Sequence, residues 1–267
     1  MAPSNLPKSG HAPINGISMY YEVHGGARGT PLVLLHGGGS SIGVTYGRIL
    51  PHFARQRSVI ALDEQAHGRT SDRDAPVRFD TSADDVAAVL AHLQIEQADV
   101  MGFSNGASVA LQLALRHPAR VRKLVFASSM TKRSGAAPQF WQFIQSAGFD
   151  DMPKPLKDAF LKQTPDPQRL RNMHDKDLNR MQNFVDVGDA EVRSVGAPTL
   201  VVAGDRDVPT LEHTIELARL FPRARLMILP GGHGDYLGEL TATEGVGRYP
   251  ELTAALCASF LDAHADD

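Results

Sequence analysis

The sequence predicts an α/β protein with a mostly parallel sheet that is covered by helices on both faces. Short, continuous apolar runs such as Leu32–Leu35 and Ser58–Leu62 are typical of strands buried on both sides. Helical patterns separate these runs, and this alternation indicates right-handed strand–helix–strand crossovers. The chain has 267 residues, 42% of them hydrophobic, which suits one such domain with a substantial core and a modest insertion.

The individual elements follow from the same patterns. Residues 1–10 contain Pro, Ser and Gly and predict a loose tail, and the partly alternating stretch Ile17–Val23 predicts an edge strand. Further strands are expected at the apolar runs Leu32–Leu35, Ser58–Leu62, Ala98–Met101, Lys123–Ala127, Thr199–Ala203 and Leu226–Leu229. Helices are expected between the first of these runs, at Thr45–Ala54, Thr81–Leu93 and Ala107–Arg116.

The stretch from Gly102 to Gly106 reads Gly-x-Ser-x-Gly, with Ser104 at its centre. A strand-like segment precedes it, and a helical pattern that ends before Pro118 follows it. Strand, sharp turn and helix form the geometry that lifts a serine hydroxyl above a sheet, and the glycines leave room for the crowded turn. The motif in this context predicts that Ser104 is a nucleophile; the alternative is a plain strand-to-helix turn.

Two later segments complete a resemblance to a known family. Gly204-Asp205-Arg206-Asp207 follows one buried-type strand, and Pro230-Gly231-Gly232-His233 follows the next apolar run. With Ser104 before them, the chain resembles the α/β-hydrolase superfamily, in the branch with a short helical cap, from about Ile14 to about Leu261. The resemblance implies an eight-stranded, mostly parallel sheet with a helical cap inserted after the sixth strand. It also implies a triad in the chain order serine, acid, histidine.

Topology and the family pattern together choose the other two triad residues. His213, His233 and His264 follow the candidate acids, but His213 lies in a helical pattern and His264 in a polar tail. The resemblance places the catalytic base at His233, on the glycine-rich loop. Of the two neighbouring carboxylates, the family pattern Gly-x-x-Asp selects Asp207 as the acid, which leaves Asp205 as a turn residue.

A tetrahedral intermediate needs two N–H donors for its oxyanion. The resemblance implies one from Asn105, the residue after the nucleophile, and one from the loop His36-Gly37-Gly38-Gly39-Ser40, where position favours Gly38. Gly39 is expected beside the substrate. His36 is expected to brace this loop. His67, in a segment that departs slightly from the family pattern, is expected to brace or lie on the surface rather than to face the substrate.

The strand pattern stops at Ser128 and resumes at Pro198. We interpret residues 130–195 as a helical cap over Ser104, between core segments 11–129 and 196–264; the alternative is a helical decoration packed away from the site. Trp141 is expected either in the core of the cap or in the pocket wall. Tyr236 is expected either to line the pocket or to anchor its loop. The Lys and Arg residues of this region are expected to solvate its outer face, with the alternative that one of them meets an acidic substrate; they are Lys154, Lys157, Arg169, Arg171 and Arg180.

Composition and motifs argue against several other classes of protein. The net charge is −3, which gives no reason to expect nucleic acid or an anionic membrane as a partner. No apolar run approaches 18 residues and no basic-apolar leader is present, so a cytoplasmic protein is expected. Gly37-Gly38-Gly39 has neither phosphate-loop nor dinucleotide-site spacing, and no Cys, His or carboxylate cluster has metal-ligand spacing, so neither cofactor nor metal is expected. Cys257, the single cysteine, is expected to be a buried thiol.

The family resemblance implies a serine hydrolase that cleaves a small carboxylic ester or lactone through an acyl-enzyme. A nucleophilic serine argues against dehalogenase and epoxide hydrolase relatives, which use an aspartate there. The alternatives are a C–C bond hydrolase, a cofactor-free perhydrolase or haloperoxidase, and a small-molecule receptor on the same fold. A small acyl substrate is the expected partner, and the chain is expected to be a monomer or a homodimer.

Overall fold

The computed structural model describes residues 8–26, 29–242 and 247–263. The strands within these residues form one mixed sheet of eight strands. The strands are β1 (Lys8–Ile14), β2 (Ile17–His24), β3 (Leu32–Leu35), β4 (Val59–Leu62), β5 (Ala98–Phe103), β6 (Val121–Ala127), β7 (Thr199–Gly204) and β8 (Ala224–Leu229). Their order across the sheet is β1-β2-β4-β3-β5-β6-β7-β8. All neighbours from β4 to β8 run parallel, which confirms the predicted fold class.

The first two strands correct the sequence-based expectation at one edge. The predicted tail includes residues 8–10, but these belong to β1, which pairs antiparallel with β2; residues 1–7 lie outside the described part of the chain. The expectation that Ile17–Val23 is an edge strand is therefore wrong, because β2 lies between β1 and β4. Asn15 and Gly16 join the hairpin with φ values of 43° and 80°, a two-residue turn that Asn-Gly favours.

Helices cover both faces of the sheet. Those outside the predicted cap are α1 (Ile42–Tyr46), α2 (Leu50–Ala54), α3 (Phe79–His92), α4 (Asn105–Arg116), α9 (Leu211–Leu220) and α10 (Tyr249–Asp262). The single helix predicted at Thr45–Ala54 is wrong, since the chain forms α1 and α2 separately. Pro51 has no N–H to donate to Gly47, so a continuous helix would lack a hydrogen bond at the junction.

Two apolar layers sandwich the sheet. Val33 and Leu35 of β3 pack with helices α3, α4 and α9, whereas Leu32 and Leu34 face α1, α2 and α10. This alternation within one apolar run is what a strand buried on both faces requires. Cys257 of α10 is fully buried in the second layer, as expected, and burial raises the pKa of its thiol to about 12.

Between β6 and β7 the chain forms helices and no further strand of the sheet. They are α5 (Pro138–Ser146), α6 (Lys154–Gln163), α7 (Pro167–Gln182) and α8 (Asp189–Ser194). The buried apolar residues of α6 and α7 form a small cluster that is separate from the two sheet layers, whereas Val192 of α8 packs in the layer that contains α3, α4 and α9. The division into a core (11–129 and 196–264) and a cap (130–195) stays a prediction. None of the helices in the described ranges is long and apolar enough to cross a membrane.

Candidate functional site

Ser104 lies in the sharp turn between β5 and α4, at the carboxyl end of the central strands. Its φ and ψ angles are 54° and −122°, an unusual conformation for a residue other than glycine. A Cβ atom on Gly102 would lie 2.1 Å from the carbonyl oxygen of Gly106, and one on Gly106 would lie 2.1 Å from that of Leu35. Only glycine fits at either position, so the motif exists here for a steric reason. The turn holds the Ser104 side chain above the sheet.

Asp207 and His233 lie against each other on the loops after β7 and β8. Nδ1 of His233 is 2.6 Å from Oδ1 of Asp207, whose side chain is fully buried. The carboxylate also accepts hydrogen bonds from the backbone N–H groups of Gly204 and Val208. Burial works to raise the pKa of Asp207, but the hydrogen bond and charge of His233 hold it below its ordinary value. An ionised acid at Nδ1 leaves Nε2 as the basic nitrogen of the imidazole.

The two candidate acids, Asp205 and Asp207, have different partners in the structure. Asp205 is exposed, and its Oδ1 accepts a hydrogen bond from Gly231 N–H at 2.8 Å, which is the turn role expected for it. The carboxylate against His233 is that of Asp207.

The loops that carry the three predicted triad residues converge. The ring of Phe103, the residue before Ser104, lies 4.7 Å from the His233 ring between centroids. A Cβ atom on Gly37 would lie 3.1 Å from Phe103 and 3.4 Å from Cβ of Ser104. The loop after β3, the turn after β5 and the loop after β8 therefore meet at one point.

Ser128 supports the acid and was not found by sequence reasoning. Its hydroxyl donates to Oδ2 of Asp207 at 2.5 Å and lies 2.5 Å from the hydroxyl oxygen of Tyr236. Ser128 directly follows β6 and has a φ of 52°. Of the two roles expected for Tyr236, lining the pocket is wrong and anchoring its loop agrees with the structure, because its side chain is fully buried beside Ser128. A positive φ cannot be read from the sequence of a serine, so no motif marks Ser128.

A cavity of about 310 Å³ opens above Ser104, between the sheet edge and helices α5 to α7. Gly38, Gly39 and Asn105, three of the predicted site residues, line it together with Ser104. The helices of residues 130–195 supply most of the remaining wall, so the interpretation of this region as a cover over Ser104 fits the geometry.

Trp141 does not contribute to the wall of this cavity, so of its two expected places the pocket wall is wrong and the core of the cap agrees with the structure. Its indole N–H donates to the carbonyl oxygen of Arg133 at 2.6 Å, and its ring packs on Phe184 with 5.3 Å between centroids. The neighbouring residues Phe140 and Phe143 line the cavity instead. On a helix, adjacent positions point in different directions, and sequence alone did not fix which of these aromatic faces inward.

Asp177 of α7 also belongs to this site, and the sequence analysis did not identify it. Its Oδ2 accepts a hydrogen bond from the Gly39 N–H at 2.7 Å, and its Oδ1 lies 3.3 Å from Nδ2 of Asn105. A Cβ atom on Gly38 would lie 2.6 Å from the same Oδ2. A carboxylate from the covering helix therefore touches both segments that are predicted to supply the oxyanion donors.

Asp177 belongs to a buried charged cluster with Arg180, Glu64 and His67. Arg180 pairs with Asp177 and, at 2.8 Å, with Glu64 after β4. Nε2 of His67 lies 3.9 Å from Asp177, while its Nδ1 faces the carbonyl oxygen of Gln65. Burial opposes protonation of His67, but the charges of Asp177 and Glu64 raise its pKa above the ordinary value. The bracing role expected for His67 agrees with this buried position.

His36 braces the loop after β3 in its neutral form. Its Nδ1 lies 2.8 Å from the Gly37 carbonyl oxygen, and its Nε2 accepts a hydrogen bond from the Glu64 N–H. One nitrogen donates and the other accepts, which is the pattern of a neutral imidazole. Burial lowers the pKa of His36 below its ordinary value, which favours the neutral form.

The polar face of α7 points inward, against expectation. Arg180 is buried and Arg169 is half-buried, so the prediction that these two side chains solvate the outer face is wrong. Arg169 donates to the Thr70 carbonyl oxygen, and Lys176 pairs with Asp72. Positions 169, 172, 176 and 180 follow helical spacing, so one stripe of α7 binds the segment after β4.

Within the described ranges, no group of three or more His, Cys, Asp or Glu side chains is arranged to hold a metal ion.

His213 lies in α9, where its Nε2 accepts a hydrogen bond from the Thr131 N–H, and His264 lies outside the described residues.

Comparisons with known proteins identify the fold family of the chain. A model of the alpha/beta hydrolase fold family matches residues 30–182. A 2-hydroxymuconate semialdehyde hydrolase from Pseudomonas sp. (strain CF600) is 29% identical, over 99% of this chain and 98% of that protein. A 3-oxoadipate enol-lactonase from Acinetobacter baylyi is 25% identical, over 81% of this chain and 86% of that protein. The solved structure of Est816, described as an N-acyl homoserine lactone degrading enzyme, has 28% identity and a TM-score of 0.72, covering 94% of this chain and 99% of that one.

Proposed function

The chain belongs to the alpha/beta hydrolase fold family, and we propose that it is a serine hydrolase that cleaves a small carboxylic ester or lactone through an acyl-enzyme on Ser104. The observation that carries the proposal is the contact between His233 Nδ1 and the buried Asp207, on loops that converge with the strained turn of Ser104. The lactonase relative and the lactone-degrading structural neighbour support the same bond type.

The proposed reaction follows from these positions. His233 takes the proton of the Ser104 hydroxyl as the oxygen attacks the carbonyl carbon. The N–H groups of Gly38 and Asn105 stabilise the oxyanion, and Asp207 stabilises the imidazolium. The intermediate collapses as His233 gives its proton to the leaving alkoxide. Water, activated by His233, then attacks the acyl-enzyme and releases the acid with Ser104 restored.

The decisive experiment compares hydrolysis of p-nitrophenyl butyrate by the wild type and by Ser104→Ala. We expect kcat/KM to fall by about 10³-fold or more in the variant, because the nucleophile is lost. Ser108→Ala is a matched control, since it removes a hydroxyl from α4, the helix that follows Ser104, and the partner of that hydroxyl is Ser129. Mass spectrometry of the intact protein after mixing with the ester should detect a butyryl adduct on the wild type only. Equal rates in the wild type and Ser104→Ala would overturn the proposal.

A second candidate function is hydrolysis of a C–C bond next to a ketone. The observation in its favour is the semialdehyde hydrolase relative, which aligns with 99% of this chain. The loss of absorbance of 2-hydroxymuconate semialdehyde on addition of the enzyme would test it. Turnover of this compound much faster than of any ester, lost in Ser104→Ala, would move the assignment to C–C hydrolysis.

A further inference from the structure

The wall of the Ser104 cavity is mostly apolar, and its described lining residues include acidic side chains but no lysine or arginine. Apolar groups from the covering helices include Phe140, Phe143, Ile144, Met152, Leu156 and Leu178. The ionisable lining residues other than the serine are Asp151, His174 and Asp177. An anionic substrate would find no lysine or arginine among these side chains.

Of the two acidic residues that line the cavity, Asp177 is the one that contacts the predicted oxyanion segments. Its bond to the Gly39 N–H and its contact with the Asn105 amide place the carboxylate beside the loop and turn that would hold the acyl carbonyl. Asp151, in contrast, is exposed and accepts a hydrogen bond from the Gly148 N–H. The two carboxylates therefore differ in distance from the predicted oxyanion donors and in exposure to water.

The charge on Asp177 is permanent at working pH. Burial works to raise its pKa, but the Arg180 guanidinium and His67 hold the pKa of this carboxyl far below its ordinary value. Arg180 also pairs with the buried Glu64, so one guanidinium serves two carboxylates. Arg180 lines a different cavity together with Phe79 and Asn183, and it is not among the lining residues of the Ser104 cavity.

We propose that Asp177 is a specificity-determining residue that admits neutral and cationic acyl groups to Ser104 and rejects acyl groups that carry a carboxylate. This inference rests on the proposed function. A second negative charge on a substrate acyl chain would lie within a few ångströms of Asp177 in a site partly shielded from water, where like charges repel strongly. The favoured substrate class is therefore a neutral or amino-substituted ester with an apolar chain that fits the cavity.

A series of three methyl esters tests the inference with the unmodified enzyme. Methyl butyrate, the methyl ester of β-alanine and monomethyl succinate differ mainly in the group at the fourth position of the chain: methyl, ammonium or carboxylate. Each kcat/KM is divided by the hydroxide-catalysed rate of the same ester, which removes differences in intrinsic reactivity. We expect monomethyl succinate to be at least about tenfold poorer than methyl butyrate, and the β-alanine ester to be at least as good as methyl butyrate. Equal normalised values for all three esters would overturn the inference.

The substitution Asp177→Asn assigns the selectivity to this carboxylate, and Asp151→Asn is the matched control with the same change of charge. We expect Asp177→Asn to bring monomethyl succinate about tenfold closer to methyl butyrate, while Asp151→Asn leaves the ratio within about twofold of the wild type. Activity on methyl butyrate shows that each variant is folded. An unchanged ratio in active Asp177→Asn would overturn the role of Asp177. If methyl butyrate is cleaved equally by the wild type and Ser104→Ala, the proposed function itself fails, which is a different result from a flat charge series.

Discussion

The two sides of the Ser104 cavity are held in place by different means. On the sheet side, backbone geometry fixes the site: Ser104 has a strained φ, and Gly102 and Gly106 leave no space for a side chain. On the helical side, side chains do the fixing, through the stripe of α7 that binds the segment after β4. Helix α5 has no buried residue, and Phe143 on it is 52% exposed.

This difference teaches which property each side can vary. A turn fixed by steric exclusion tolerates few substitutions, and it positions the reacting groups. A helix held by polar side chains can exchange its lining residues without disturbing the sheet, and it shapes the space for the substrate. We therefore expect substitutions on the sheet side to affect the reaction, and those on the helical side to affect stability or selectivity.

The largest effect is expected from Asp207→Asn on the sheet side. The loss of the charged partner of His233 should lower kcat on p-nitrophenyl butyrate by about 10³–10⁴-fold with little change in the free energy of unfolding. Asp205→Asn is the control, since it makes the same change two residues away on an exposed side chain. Steady-state kinetics of both variants would check the prediction, and a comparable loss in Asp205→Asn would contradict it.

On the helical side, Arg180→Met should act mainly on stability. It leaves the buried carboxylates of Asp177 and Glu64 without their shared cation, which should cost about 3–5 kcal/mol in the free energy of unfolding. Arg171→Met, on the exposed face of the same helix, should change stability by no more than about 0.5 kcal/mol. Urea denaturation measures both. If the two variants were equally stable, the result would show that the buried cluster does not hold α7 against the segment after β4.

The smallest of the three effects concerns pH. Because Asp177 and Glu64 raise the pKa of His67 above its ordinary 6.5, protonated His67 stabilises the folded state. Arg180 and the neighbouring His36 oppose this protonation, and the carboxylates outweigh them. The stabilisation should be complete below the ordinary pKa and should disappear as the pH rises through the raised one. The difference in free energy of unfolding between the wild type and His67→Gln should therefore be largest below the ordinary pKa of 6.5 and should decrease as the pH rises above it. A difference that is constant with pH in urea denaturation would show that His67 is neutral in the folded protein.

Most of the sheet was predictable because each buried strand carries its own signal. The run Leu32–Leu35 is apolar at every position, and no other element needs to be known to interpret it. The first strand was missed because Lys8–Ile14 is polar at an edge, where one side of the sheet faces water. The Asn-Gly turn that joins it to β2 was a usable signal in the sequence.

The predicted triad residues were chosen from a local motif, chain order and the family resemblance. Gly-x-Ser-x-Gly between a strand and a helix indicates Ser104, and the resemblance selected Asp207 and His233 on the loops after the last two strands. Topology brings the carboxyl ends of parallel strands to one edge, so residues far apart in sequence were expected to meet. In the structure, Asp207 contacts His233 and the loops converge as expected; their catalytic roles stay a proposal.

The sequence by itself determined the succession of most strands and helices along the chain, the steric requirement for glycine around Ser104 and the candidates for the reacting groups. Only the tertiary structure decided that Asp177 and Arg180 face inward, that Ser128 supports Asp207 and that Phe143 rather than Trp141 lines the cavity. The physical reason is the distance along the chain over which each effect acts. Backbone propensity and steric fit act within a few residues, whereas a polar stripe on a helix looks the same whether it faces water or a buried partner, and only packing against that partner distinguishes the two.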